Sequence, residues 1–248
     1  MCIRDSLLWL LVGSFFNVVI HRLPRGESIV FPASHCVHCG VRLSAKELIP
    51  FFSYAWQRGR CRHCHKPISL RYPLVEVLTA ALLGLIWYLR QGVPAVYAYL
   101  AFTSLLIVIS FIDFDHFLIP DQLLVAGLGV WVLLQLIVPF IAWPLALAGG
   151  ALSFALMLVI YVLSRGGMGF GDVKLAGLIG LYLGTTLGVL SLFLAFVLGA
   201  SIGLVLLALR LKSRKDALPF GPFLAIGAYL AMAWGPDFLR WYQVFFGL

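Results

Sequence analysis

The sequence predicts an all-α fold: a polytopic membrane bundle of about eight transmembrane helices with one small extramembrane loop domain. Three observations lead there. Of 248 residues, 62% are hydrophobic and 11% charged, whereas ordinary soluble domains run at about 45–50% and about 25%. Ten acids and 18 Lys/Arg cannot clothe a globule of this size, which excludes a cytosolic enzyme, a disordered scaffold, a fibrous repeat and a disulfide-stapled secreted domain. Apolar runs recur along the chain at 7–20, 73–89, 94–112, 122–138, 145–163, 173–184, 186–209 and 222–239, each a candidate span. Finally, fifteen of the 18 Lys/Arg fall in the alternate connections 21–72, 113–121, 164–174 and 210–218, while Arg4, Arg90 and Arg240 fall on the other side. By the positive-inside rule those connections face the cytoplasm, and the net charge of +8 reports topology rather than affinity for nucleic acid. The domain division expected is a first helix over 1–20, a loop domain over 21–72 and a bundle over 73–248.

The first run, Leu7–Ile20, is short for roughly 30 Å of hydrocarbon and contains Asn17. Met1–Ser6 does not read as a native membrane entry, so the expectation is that these six residues are foreign and the true start is missing. No small-residue cleavage site follows the run, against a signal peptide. Cys2 carries no prediction.

The 21–72 loop holds Cys36-Val-His-Cys39-Gly40 and Cys61-Arg-His-Cys64, with twenty-one residues between the pairs. A two-residue gap lets a tight turn aim both sulfurs at one ion, and two such knuckles complete a tetrahedral thiolate site. Gly40 suits the left-handed turn that a knuckle needs. Disulfides are rare in the cytoplasm, so Cys36, Cys39, Cys61 and Cys64 are read as zinc ligands. Four thiolates leave no open position, which makes the zinc structural. A loop of this size holds little core of its own, and metal binding supplies the missing folding energy. His35, His38, His63 and His65 read as neighbours packed on the knuckles. The basic residues of the loop enforce topology and sit near anionic headgroups.

The acids sort one by one. Asp5, Glu27, Glu47, Asp216 and Asp237 lie in soluble or boundary stretches, where solvated charge is the default. Glu76 reads as a helix-start acid. Four remain: Asp113, Asp115 and Asp121 in Phe111-Ile-Asp-Phe-Asp-His-Phe-Leu-Ile-Pro-Asp121, and Asp172 in Gly167-Met-Gly-Phe-Gly-Asp-Val-Lys174. Carboxylates at membrane depth are functional candidates. Asp121 follows Pro120 and looks like a helix cap; Asp115 adjoins His116 and reads as interfacial; Asp113 closes an apolar run and is the deepest of the three. Asp172 follows glycines at 166, 167, 169 and 171, which free the backbone and admit an extended peptide. Asp113 and Asp172 are therefore the natural pair. Two carboxylates brought together share a proton, so one takes a proton from water while the other protonates the substrate. H-E-x-x-H does not occur in the sequence.

Gly169-Phe-Gly-Asp172 resembles the G-x-G-D signature of intramembrane aspartyl proteases. Within that class the chain resembles the bacterial type IV prepilin leader peptidase/N-methyltransferases. The likeness runs through Gly13-Ser-Phe-Phe-Asn-Val-Val-Ile-His-Arg-Leu-Pro24, both cysteine pairs, Arg71-Tyr-Pro-Leu-Val-Glu76, Asp113–Asp121, Gly167–Lys174 and Pro219-Phe-Gly-Pro-Phe223. The resemblance implies cleavage of prepilins and pseudopilins after a glycine, at the cytoplasmic face of the inner membrane, with Asp113 and Asp172 catalytic and Gly169 and Gly171 in the active-site loop. It also implies methylation of the new amino terminus from S-adenosylmethionine. No cofactor-binding residue is assigned: the cysteine loop and Asn17–Pro24 are either contributors or structural. Asp115 and Glu76 are candidates to meet the basic leader. Membrane lipid is an expected partner, nucleic acid is not, and oligomeric state is open. Two rival classes stand beside this reading: a proton-coupled transporter using the same acids as relays, and a zinc-bearing scaffold without activity.

Overall fold

A computed structural model describes residues 3–44, 46–164, 166–213 and 216–246; Cys2, Arg165 and residues 214–215 lie outside them. Helix is the only regular structure among the described residues, apart from two isolated bridges. The chain divides into two compact units, 1–88 and 89–248.

The first unit contains α1 (Ile3–Arg22), a short 3-10 turn (Leu23–Arg25), α2 (Phe52–Trp56) and most of α3 (Arg71–Arg90). α1 and α3 touch backbone to backbone at Gly13, where a Cβ would lie 2.7 Å from the Cα of Glu76. Small residues permit such approach between membrane helices. One turn further along, buried Asn17 donates from Nδ2 to the Tyr72 carbonyl at 3.1 Å. A polar residue inside a short apolar helix thus serves as an interhelical tie.

The second unit holds α4 (Val96–His116), α5 (Asp121–Ile137), α6 (Trp143–Leu163), α7 (Phe170–Ala208) and α8 (Gly221–Phe246). α6 packs on α7, α7 on α8, and α4 on α5 and α8. α7 is broken at Gly184, whose φ of 74° only glycine adopts without strain. A Cβ on Gly188 would lie 3.3 Å from the Cα of Gly180, whereas residues eight apart in a straight helix are separated by about 12 Å. The chain therefore doubles back there, at the interruption expected between 173–184 and 186–209. Gly149 of α6 fills the crook: its Cβ would be 2.3 Å from the Gly184 carbonyl carbon.

Among the described residues four helices (α3, α4, α6 and α7) are long and apolar enough to cross a membrane, and α5 is a shorter apolar helix. The distribution of side chains agrees with a multi-pass membrane protein. Val125, Leu136, Val159 and Val162 face outward, while Thr103, Gln135, Ser153 and Ser191 are buried. Three buried polar side chains bond to main-chain carbonyls: Tyr182 donates to Gly127 at 2.8 Å, Trp131 to Leu181 at 3.0 Å, and Gln135 bonds to Ile141, whereas Thr103 Oγ1 and Ser153 Oγ have no partner among the described residues. Pro236 within α8 has no N–H to donate to the Met232 carbonyl. Arg90 donates to the Met232 and Ala233 carbonyls, at 3.0 and 2.7 Å, with Asp237 at 3.4 Å.

Candidate active site and metal site

In the second unit, four backbone features converge on one pair of acids. α4 ends in a left-handed residue, Phe117 (φ 52°), whose N–H bonds the Asp113 carbonyl at 2.9 Å, so Asp113 occupies the last turn. The connector that follows buries Ile119. Ile119 lies against Gly171, where a Cβ would come within 3.0 Å of the isoleucine. α7 begins after Gly169, and Asp172 is its third residue. The Asp172 carboxylate accepts the Gly169 N–H, the acidic half of a capping box. The start of α8 closes the site, with Gly221 N–H donating to Asp113 Oδ2 at 2.9 Å. A Cβ on Gly221 would lie 2.8 Å from that oxygen, so a larger residue there would displace the carboxylate.

Asp113 and Asp172 are 5% and 7% exposed and near enough for the charge on one to act on the other. Asp172 Oδ1 is buried without a hydrogen-bond partner among the described residues. Such an atom calls for an explanation. Each carboxylate accepts one backbone N–H, and two buried acids so placed have the chemistry to share a proton.

The other acids of the two motifs stand elsewhere. Asp115 is exposed on the last turn of α4. Asp121 is the first residue of α5, with Pro120 as the cap, and makes no capping bond. Its carboxylate instead binds Lys174 Nζ at 2.7 and 2.9 Å, and the ammonium also lies 5.4 Å from the Phe170 ring centre. This ion pair ties the start of α5 to the start of α7, two residues beyond Asp172. Sequence reasoning missed both this clasp and the Gly221 donor. Pro219–Phe223 was visible as a motif, but nothing local shows which group its glycine approaches.

In the first unit the two cysteine pairs build the same turn twice. Cys36 N–H bonds Val41 O at 2.9 Å and Gly40 N–H bonds Cys36 O at 2.9 Å; Cys61 N–H bonds Lys66 O and His65 N–H bonds Cys61 O, both at 3.0 Å. Gly40 (φ 69°) and His65 (φ 55°) take the left-handed position in each. The four Sγ atoms lie within 4.8 Å of one another, with Cys36 and Cys64 at 3.9 Å. A tetrahedron with Zn–S near 2.3 Å has edges of about 3.8 Å, so this donor set can hold a metal ion. Against the burial that would raise it, N–H groups of Cys39 and His38 draw the Cys36 thiol down to about 7. Backbone donors likewise lower Cys61. No histidine joins the cluster among the described residues.

Two acids of this unit depart from expectation. Glu76 lies beyond the first turn of α3 and is 7% exposed, its Oε2 accepting the Phe51 N–H at 2.8 Å. It is an anchor for the loop rather than a helix-start acid. The Glu47 side chain, expected to be solvated, is 5% exposed. Ser44 donates to it through N–H at 2.9 Å and Oγ at 2.7 Å, holding its carboxyl below the usual range.

Residues 7–90 match the Bacterial Peptidase A24 N-terminal domain and residues 100–204 the Type IV leader peptidase family. Among similar proteins, a prepilin leader peptidase/N-methyltransferase of Aeromonas hydrophila is 36% identical, covering 95% of this chain and 91% of its own length. One of the same description from Pseudomonas putida is 36% identical over 94% and 90%, and one from Bacillus subtilis (strain 168) is 33% identical over 94% of each. No solved structure matches the chain. Nothing in these matches supports a transporter.

Proposed function

The chain belongs to the type IV leader peptidase family, and from that premise we propose that it is a prepilin leader peptidase/N-methyltransferase with Asp113 and Asp172 as its aspartic dyad. The observation that carries the reading is the pairing of two buried carboxylates from distant motifs, with Asp172 Oδ1 left without a partner among the described residues. In the proposed mechanism a water binds between the pair. The ionised carboxylate takes a proton from it as the oxygen attacks the scissile carbonyl, and the other carboxyl protonates the carbonyl oxygen. On collapse of the resulting diol the first carboxyl passes its proton to the leaving amine and the second recovers one from a diol hydroxyl, which restores the shared proton. Gly169 adds no side chain beside Asp172, so that an extended peptide passes close to the carboxylate, while Gly171 seats Ile119 and sets the floor of the site. Asp115, exposed at the same helix end, suits the basic leader.

The substrates are prepilins and pseudopilins. The Lys/Arg asymmetry supports a cytoplasmic position for this site and the cysteine loop; the membrane is the inner membrane, and the bundle has about eight spans. Cys36, Cys39, Cys61 and Cys64 would hold a structural zinc. S-adenosylmethionine, when bound, supplies a methyl group to the new terminal amine, which loses a proton while the donor leaves as a neutral thioether. The functional division we propose is a first helix over 1–20, a zinc loop over 21–72 and a peptidase bundle over 73–248.

Purified protein incubated with a prepilin tests this reading. Wild type removes the leader and releases a new amino terminus after the glycine; Asp113→Asn and Asp172→Asn do not. Cleavage by both variants at the wild-type rate contradicts the dyad, and no cleavage by wild type contradicts the peptidase assignment.

A further inference from the structure

The first unit contains a cavity of about 450 Å³ that the peptidase chemistry does not use. Its wall is built from α1 (Asn17, Arg22), the start of α3 (Tyr72, Glu76) and the cysteine loop, including Glu47 and the backs of both knuckles. The volume falls in the range of small-molecule sites, roughly 300–1,000 Å³.

Its charges are unusual. Glu76 is buried with only the Phe51 N–H and the neighbouring Ser14 hydroxyl beside it, and no Lys or Arg is paired with it among the described residues. The Glu47 residue is half-buried with its side chain turned inward, and among the described residues its Oε1 has no hydrogen-bond partner, with His63 Nε2 at 3.9 Å. Phe51, which Glu76 holds, adopts φ 60°, a conformation that a bulky residue keeps only where its surroundings impose it. Two buried carboxylates on one cavity select a cation. On the same wall Arg22, itself buried, offers a guanidinium that can meet a carboxylate. Asn17 and Tyr72 offer an amide and a ring for a polar heterocycle.

We infer that this cavity binds the methyl donor, with Glu76 and Glu47 facing the sulfonium and ammonium charges of S-adenosylmethionine and Arg22 its carboxylate. The inference rests on the N-methyltransferase reading above and assigns its cofactor site. It also gives the metal loop a task, since the knuckles that carry Cys36 and Cys61 form part of the cavity wall.

The test compares two ligands that differ in charge and a methyl group. Binding of S-adenosylmethionine and of S-adenosylhomocysteine, its neutral thioether product, is measured by calorimetry on the zinc-loaded full chain in nanodiscs. Glu76→Gln keeps an oxygen for the Phe51 N–H but removes the charge. It is expected to weaken S-adenosylmethionine tenfold or more and S-adenosylhomocysteine less than threefold. Val18→Trp, which fills the cavity from α1, is expected to weaken both tenfold or more with one zinc per chain retained. Wild-type affinity for S-adenosylmethionine in Glu76→Gln, or for both ligands in Val18→Trp, overturns the site. Should Glu76→Gln lose zinc along with both ligands, Val18→Trp decides alone. Methylation of a cleaved pilin by wild type separates the two levels of failure. If wild type methylates while both variants bind normally, the site is wrong and the activity stands. If wild type neither binds the donor nor methylates, the activity is wrong as well.

Discussion

The two units of this protein hold their functional groups in opposite ways. In the second, Asp113 and Asp172 are set mainly by backbone: a helix end, a helix start and the Gly221 N–H, with Gly171 fitted closely on the Ile119 side chain. In the first, the loop between α1 and α3 has one five-residue helix and two isolated bridges, and its order comes from side chains: four thiols, Glu47 on Ser44 and Glu76 on Phe51. The difference follows from the medium. Within a bilayer every backbone group must be satisfied locally, so helix termini and glycine contacts are the devices at hand. A loop with little apolar core lacks that support and depends on metal and buried acids.

The largest expected effect falls on the dyad. Asp172→Asn should lower the cleavage rate by about 10³-fold or more, in the upper part of the usual range for a lost proton-transfer group, as measured by leader release from a prepilin. Next, removing zinc or making Cys39→Ser should abolish donor binding and methylation while cleavage falls less than tenfold; equal loss of both activities would erase the contrast between the units. Gly221→Ala should then lower cleavage by about 10–100-fold through displacement of Asp113, a loss of roughly 1.5–3 kcal/mol of transition-state stabilisation, with donor affinity unchanged. The smallest effect belongs to the exposed Asp121–Lys174 pair, since ion pairs at a surface contribute about 0–1 kcal/mol. Lys174→Met should cost a few-fold in cleavage, and the exchange Asp121→Lys with Lys174→Asp should restore part of it.

What the sequence reveals and what it conceals divide along sequence separation. The cysteine knuckles are legible because a local spacing encodes a local turn, and Gly40 occupies the left-handed position its neighbours require. The break at Gly184 is legible as a gap between apolar runs. Asp113 and Asp172 are legible because charge is so scarce that an acid at a membrane boundary stands out. Their pairing with each other follows from elimination, but the Gly221 donor, 108 residues from Asp113, has no local signature. Glu76 and Glu47 were misplaced for the converse reason. Acids near a helix start or in a polar loop are usually solvated, and only the folded loop shows that Phe51 and Ser44 turn their N–H groups onto them. Asp121 likewise has a helix-start position that suggests a cap, whereas its partner, Lys174, is fifty-three residues away.

The central claim is that cleavage belongs to the second unit and methyl transfer to the first. The most direct measurement gives the Asp113→Asn protein a pilin already lacking its leader, together with labelled S-adenosylmethionine. The account predicts methylation at the wild-type rate by a protein that cannot cut a prepilin. Loss of methylation from that pre-cleaved substrate, in protein that retains its zinc, would contradict it.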